Sequence, residues 1–333
     1  MAIIGNTALT LVDWARRQDP DGKIAKIAEL LNLTNEVLDD MLWVEGNLPT
    51  GHRTTIRTGL PSATWRLLNY GVVPSKATTT QVTDACGMLE AYSEIDKSLA
   101  DLNGNTAEFR LSEDKAFIEA MNQQFCTTLF YGNSTTTPAS FTGLSARYPT
   151  VNPATALNAQ NVFDGGGTAS TNTSIWLVVW DENTVSGIFP KGGFGGLKHE
   201  DLGEQTLYDY NVNKLQGYRT HYKWDCGLTL RDWRYVVRIA NIDVTLLTKN
   251  AASGTDLIDQ MTAALERVQS LKMGRPVFYC SRLIKSFLRR QIANKVLQST
   301  LQMDTVSGKH VMTFGDVPVR RVDAILNTEA RVV

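Results

Sequence analysis

The segment from Ile175 to Ile242 constrains this chain more than any other. Ile175–Trp180, Val185–Phe189, Leu207–Val212, Gly217–Leu230 and Arg234–Ile242 are rich in β-branched and aromatic residues and follow one another with no helical pattern between them. Ile175–Trp180 is apolar at every position, which reads as a buried strand, and it is far too short to cross a bilayer. Helical periodicity lies outside this block. Phe117, Ala120, Met121, Gln124, Phe125, Thr128 and Leu129 form one stripe of a long helix expected to start at a Ser112 cap and to close at Gly132. Ser253 and Asp256 open another, with Leu257, Met261, Ala264, Leu265, Val268 and Leu271 on one face. Pro276–Cys280 reads as a short buried strand, Ser281 as the cap of a further helix, and Val317–Ile325 as a final strand pair. Strands and helices are segregated and the βαβ alternation of a doubly wound sheet is missing, so the fold class is α+β.

At 333 residues the chain is longer than one small domain, and roughly three quarters of its unfolded surface becomes buried on folding. Hydrophobic residues are 43% and charged residues 20%, which excludes a disordered or fibrous protein. Thirty-three basic residues against 34 acidic give a net charge of −1. That balance argues against tight sequence-independent DNA binding over the whole surface, which requires many neutralised phosphates. The charge is nevertheless polarised. Residues 1–50 carry four basic and eight acidic side chains, net −4, and residues 270–333 carry eleven basic and four acidic, net +7. Such a chain suits contact with copies of itself or with different partners on different faces. The first residues lack the basic and apolar regions of a signal peptide, so a soluble protein made without export is expected. Cys86, Cys126, Cys226 and Cys280 lie at least 40 residues apart without a CxxC, the pattern of reduced, core-filling thiols.

Thr10 with Asp13 fits a capping box, and Ile24, Ile27, Leu30 and Leu31 recur at helical spacing, as do Val37, Leu38, Met41 and Leu42. The Asn32–Asn35 link superficially suggests a helix-turn-helix. Its second helix, however, carries Glu36, Asp39 and Asp40 and no basic residue, and carboxylates repel phosphates. A helical arm packing on an apolar surface is the better reading, with those three acids as candidate contacts to another subunit. Next, Gly51–Arg57 and Ala63–Tyr70 lean toward β structure and flank a Gly/Pro turn at Thr58–Ser62, which predicts a hairpin. Arg53, Arg57 and Arg66 make it basic, while Trp65 and Leu67 give it something to bury. An isolated two-stranded hairpin is marginal in water, so this one is expected to lie on another surface, another chain included. Thr78–Asp84 reads as extended, and residues 132–174, with only Arg147 and Asp164 charged, read as a long excursion of loops.

Chemistry-bearing constellations are missing. His52, His199, His221 and His310 form no i, i+4 pair and no HExxH, so no metal site is expected. His199-Glu200-Asp201 cannot easily converge, because neighbours on a strand point to opposite faces. Asp164–Thr168 (DGGGT) and Lys191–Gly196 (KGGFGG) match no phosphate-binding pattern and read as turns, and no GxSxG is present. No catalytic residue, cofactor or metal follows. The strongest electrostatic feature is the helix bearing Arg282, Lys285, Arg289, Arg290 and Lys295 among Leu283, Ile284, Phe287, Leu288 and Ile292. This basic face is either solvated or meets an acidic partner: another subunit, for which the acidic N-terminal segment is suited, or nucleic acid.

Longer stretches carry a resemblance. They are Gly46–Pro61 (GNLPTGHRTTIRTGLP) continuing to Asn69-Tyr-Gly-Val, Arg219–Asp225 (RTHYKWD) with Arg231–Asp243 (RDWRYVVRIANID), Arg275–Arg282 (RPVFYCSR) and Gly315–Ile325 (GDVPVRRVDAI). In these the chain resembles the major capsid proteins of tailed double-stranded-DNA phages, most of all those of short-tailed phages of the Bordetella-infecting type. The resemblance implies a Hong Kong 97-type capsid fold with an N-terminal arm (1–45), an extended hairpin loop (46–75), and a peripheral strand and spine helix (77–135, the helix at Ser112–Tyr131). It further implies an axial domain drawn from 136–200 and 250–315 and peripheral strands from 201–249 and 316–333.

The implied function is self-assembly through hexamers and pentamers into the icosahedral head shell enclosing the genome, with no enzymatic activity. The implied partners are copies of itself, scaffolding, portal and cement or decoration proteins, and weak non-specific contact with packaged DNA, with no membrane. The implied location is the virion, after assembly in the bacterial cytoplasm. Some members of this family form an autocatalytic Lys–Asn crosslink. Lys76 lies just beyond the loop, but nothing in the sequence pairs it with an asparagine, so no crosslink is expected. An encapsulin-like compartment shell and an enzyme of unrecognised type are the alternatives, and neither has a sequence feature of its own.

Overall fold

The computed structural model describes residues 35–102, 104–208, 213–247, 256–293, 301–306 and 309–333, with backbone alone for 291–293, 301–306 and 309–311. The helix expected over Ile24–Leu31, the caps Thr10, Asp13 and Ser253, and Lys295 lie outside the described residues.

All nine residues of β5 (Asn172–Trp180) are buried. Its side chains alternate between two cores: Trp176, Val178 and Trp180 enter one, and Ile175, Leu177 and Val179 enter the other. β9 (Val236–Asp243) and β10 (Arg275–Cys280) flank it, both antiparallel, and divide their side chains the same way. A strand covered on both faces takes every side chain out of water, which is why apolar residues predominate on both faces and why the polar exceptions Arg238 and Asn241 of β9 are hydrogen-bonded. Phe125, Leu129 and Phe130 of α3 (Thr106–Tyr131) cover the first core. Leu257, Met261 and Ala264 of α5 (Leu257–Arg267), with Ile284 and Leu288 of α6 (Arg282–Ala293), cover the second. Asp256 caps α5 through its carboxylate, and Ser281 Oγ accepts from the Ile284 amide at the start of α6.

From β5 the sheet continues through β6 (Val185–Phe189), β8 (Lys214–Leu230), β3 (Thr78–Asp96) and β2 (Gly51–Gly59). On the other side β10 leads to β13 (Val317–Arg321), β12 (Lys309–Phe314) and β11 (Leu301–Val306). β1 (Trp43–Glu45) runs parallel to β6, β4 (Val162–Asp164) parallel to β9, and β7 (Lys198–Tyr208) antiparallel to β8.

Several elements depart from the sequence-based expectation. α3 begins at Thr106, six residues before Ser112, because Phe109 is buried in a small third core with Ile95, Leu99 and Ala100 and extends the helix backward. At 26 residues it spans roughly 39 Å. Ala120 and Gln124 of the expected stripe are exposed, and Cys126 and Phe130 are buried instead. The expected Val37–Leu42 helix shortens to the single turn α1 (Val37–Asp40), and two more short helical turns are α2 (Lys97–Ala100) and α4 (Leu144–Arg147). β7 covers Lys198–Tyr208 and so begins well before the strand expected at Leu207–Val212, whose residues 209–212 lie outside the described ones; an edge strand with charged side chains on both faces has no hydropathy signal.

The hairpin is also built differently. β2 pairs with the first part of β3, from Gly51↔Ala85 to Gly59↔Thr78, while Ala63–Tyr70 is not a strand. Apolar residues there fall at 65, 67 and 68 without strict alternation, and Pro61 and Pro74 cannot donate to a ladder.

Gly132 ends α3 and donates to Thr128 O at 2.7 Å, and Gly143 N donates to Gly132 O at 2.9 Å. The loop comes so close that a Cβ on Gly143 would lie 2.6 Å from the Leu129 carbonyl oxygen and closer still to that of Thr128. Gly143→Ala is therefore expected to cost about 1–3 kcal/mol through a forced backbone shift. Chemical denaturation measures this, and an unchanged midpoint would show that the helix end yields freely.

Candidate functional site

β2 and the first half of β3 form a two-stranded ribbon whose connection, residues 60–77, is exposed throughout. Only a turn at Leu67–Tyr70, with Asn69 at φ 68°, and a Ser75 Oγ to Ser62 O bond of 2.9 Å give it internal order. Its apolar side chains have nothing to cover them: Trp65 is wholly exposed, and Leu60, Leu67, Leu68, Tyr70 and Val73 are each at least 69% exposed. So many exposed apolar side chains gathered in one short connection mark a place where something else binds.

Arg53 is held across the ribbon, donating through Nε to Thr83 Oγ1 at 3.2 Å, and its backbone is bracketed by both side-chain atoms of Asn47. Arg57 and Arg66 are exposed and make no ion pair among the described residues. The ribbon therefore presents an apolar tip with two free cations.

The acidic candidates divide. Glu36 lies 3.8 Å from both Lys285 and Arg320. Asp40 is buried, pairs with Arg320 at 3.2 Å, and accepts from Tyr279 Oη at 3.2 Å. Burial raises its carboxyl above the usual aspartate range, against the pull of Arg320. Both acids fasten α1 to the body of their own chain, and only Asp39 is exposed. The basic helix divides as well: Lys285 faces Glu36, Arg290 lies over the Phe287 ring with its guanidinium carbon 5.2 Å from the centroid, and Arg282 and Arg289 are exposed. The charge complementarity between the two ends of the chain is thus used, in part, within one subunit.

Among the described residues the side chains weighed for chemistry do not come together. Asp201 pairs with Arg110 at 2.6 Å, which lowers its pKa, while His199 packs on the Tyr222 ring, so this cluster does not converge. Among the described residues no group of His, Cys, Asp and Glu could hold a metal ion. Burial pushes the thiols of Cys126, Cys226 and Cys280 up to about 12 and that of Cys86 to about 11, so none supplies a thiolate near neutral pH. No helix among the described residues is long and apolar enough to cross a membrane.

The polar interactions that secure this architecture are buried ones that the sequence reading did not single out. At the ribbon's base, Asp84 accepts from Arg147 Nη2 at 2.8 Å and from Thr229 Oγ1 at 2.8 Å. In the first core, Arg238 pairs with Glu329 at 2.9 Å and lies 5.0 Å from the Trp176 ring. An arginine inside the β-branched run Val236–Ile242 was the available signal, since a charge in a strand buried on both faces requires a partner.

Comparison with known structures agrees with this geometry. A chain of the bacteriophage Epsilon15 structure is 37% identical, with a TM-score of 0.78, covering 100% of this chain and 99% of that one. The bacteriophage JBD30 capsid aligns with a TM-score of 0.50 at 10% identity, over 90% of this chain and 93% of that one. An encapsulin of Synechococcus elongatus aligns with a TM-score of 0.45 at 11% identity, over 72% of this chain. Among curated proteins no relative matches. The class is the Hong Kong 97-type capsid fold of tailed phages. The family model described as "Major capsid protein GP7" matches residues 19–333, and the chain belongs to that family. It is a structural protein of the virion and not an enzyme.

Proposed function

We propose that this chain builds the icosahedral phage head shell, through hexamers and pentamers, around a double-stranded DNA genome, with the ribbon and its tip lying on neighbouring copies. The uncovered apolar tip carries this reading, because side chains that gain nothing in one subunit gain when a second subunit buries them. Arg53, Arg57, Trp65, Arg66 and Asp39 are the proposed contacts between subunits, and Arg282, Arg289 and Arg290 are a basic face for an acidic neighbour or for weak contact with DNA. In this proposal residues 1–45 are the arm, the extended loop runs from 46 to 75 and draws on the Thr-rich strand that follows, and α3 is the spine. The axial domain takes 136–200 and 250–315, and the peripheral strands take 77–110, 201–249 and 316–333. Scaffolding, portal and cement proteins are proposed partners, assembly is placed in the bacterial cytoplasm, and the nearest kinship is with short-tailed phages of the Bordetella-infecting type.

The test is to express the chain and examine it by gel filtration and negative-stain electron microscopy. Shells, capsomer rings or sheets are expected. A species that stays at the size of the 36.8 kDa chain with scaffold and phage neighbours present would overturn the reading. Denaturing electrophoresis of assembled shells is expected to give a single band at monomer size; a ladder would show a covalent crosslink, with exposed Lys76 the first residue to examine.

A further inference from the structure

Where the ribbon leaves the body, titratable and charged side chains are packed together. His52 on β2 and Asp84 on β3 are register partners, and both are buried. Asp84 is tied to the body by Arg147, Thr229 Oγ1 and the Leu230 amide. His52 Nε2 lies 3.1 Å from Arg231 Nη2. A guanidinium can only donate, so Nε2 accepts and the ring proton sits on Nδ1, which is buried without a hydrogen-bond partner. Outward of this point β2 and β3 pair only with each other, since the β3–β8 ladder starts at Cys86↔Gly227. At this point, where β3 passes from the β8 ladder into the ribbon, these side chains are the buried polar ties between ribbon and body.

We infer that His52 is a pH-sensitive latch at the fulcrum of the ribbon: neutral, it accepts from Arg231 and holds the ribbon on the body, and protonated, it loses that bond, faces a like charge and releases the ribbon. The groups that face it are Arg231 after β8, Asp84 on β3 with Arg147 behind it, and Glu182 in the β5–β6 turn. Burial first and Arg231 second lower its pKa, while Asp84 and Glu182 work against them. The sign follows from linkage. A histidine that is harder to protonate in the latched state gives a latch at full strength above its ordinary pKa of about 6.5, and the latch weakens as pH falls through that value toward the lowered one. The charge change falls within the range that histidine alone covers at its ordinary pKa.

The test is hydrogen exchange of ribbon peptides 51–59 and 78–85 in the full-length chain, corrected for intrinsic rates. The readout is local, so it works whether or not shells form, and its failure is separate from failure of the shell reading. Between about pH 8 and about pH 5.5 the wild-type ribbon is expected to open more often, by up to about tenfold, the ratio of protonated to neutral imidazole one pH unit below its ordinary pKa of about 6.5. His52→Gln, whose Oε1 accepts from Arg231 and does not titrate, is expected to change by less than about twofold. Arg231→Gln keeps a donor and removes the opposing charge, so its response is expected to fall to about threefold or less. A flat wild type, an equally steep His52→Gln, or an equal response of the core peptide 172–180 would each overturn the latch.

Discussion

A chain in which residues 61–76 are replaced by a short turn folds to wild-type stability and forms no shells: this is the largest effect expected here. The deleted residues enter none of the three cores, and the β2–β3 ladder closes at Gly59↔Thr78 without them. Shortening an exposed connection lowers its closure entropy cost by only about 0.6 kcal/mol per halving of length, so the subunit loses no stability by it. Assembly is a different matter. Burying a side chain such as Trp65, Leu67 or Leu68 is worth about 1.5–3 kcal/mol each, and a lattice repeats every contact around its subunits. Trp65→Ala alone is expected to lower shell yield steeply, because an exposed tryptophan at a centre of contact is the usual form of a hot spot. Sedimentation and electron microscopy report assembly, and denaturant melts of the unassembled chain report folding. Normal shells from the truncated chain would remove the tip from the interface, and an unfolded truncated chain would show that the tip belongs to the subunit's own core.

The second large effect concerns the subunit itself. Glu329→Ala is expected to destabilise the unassembled chain by about 3–5 kcal/mol, the usual cost of leaving one member of a buried ion pair unpaired. Arg238 and Glu329 are 3% and 6% exposed, and Glu329 also accepts from Tyr131 Oη and Ser174 Oγ. Without it the Arg238 guanidinium keeps only the Tyr148 carbonyl oxygen at 2.9 Å, two hydroxyls at longer range and the face of Trp176. Placing Arg238→Met in the same chain is expected to restore much of the loss, since two apolar side chains at a buried pair cost less than one orphaned charge. A single-variant loss below about 1 kcal/mol would mean that water reaches the site or that Tyr148 alone satisfies the arginine.

Elements whose burial repeats with a local period were legible. Ile175–Trp180 of β5 and Val277–Cys280 of β10 show as unbroken apolar runs because both faces are covered, β9 shows as a β-branched run interrupted at Arg238 and Asn241, and α5 shows its buried Leu257, Met261 and Ala264 at helical spacing with Asp256 as cap. Elements with one polar face and a sheet edge were not. β7 carries Lys198, Glu200 and Glu204 and owes its extension to the ladder with β8, so only the pairing reveals it. The start of α3 depended on Phe109 finding Ile95 and Leu99, and Ala63–Tyr70 had β-leaning residues with no strand to pair against.

The sequence by itself determined the α+β class, the burial of the central strand at Ile175–Trp180, and a polar segment after Gly51 too poor in core to stand alone, though not the strand it pairs with. Each of these depends on residue type within a few positions, where side-chain period and composition act directly. Only the tertiary structure decided which charges meet. Asp84 and Arg147 are 63 residues apart, Arg238 and Glu329 91, His52 and Arg231 179, and Asp40 and Arg320 280. A charge carries no local mark of its partner. The partner is chosen by the path of the chain through the sheet, and burial then makes that choice costly to undo.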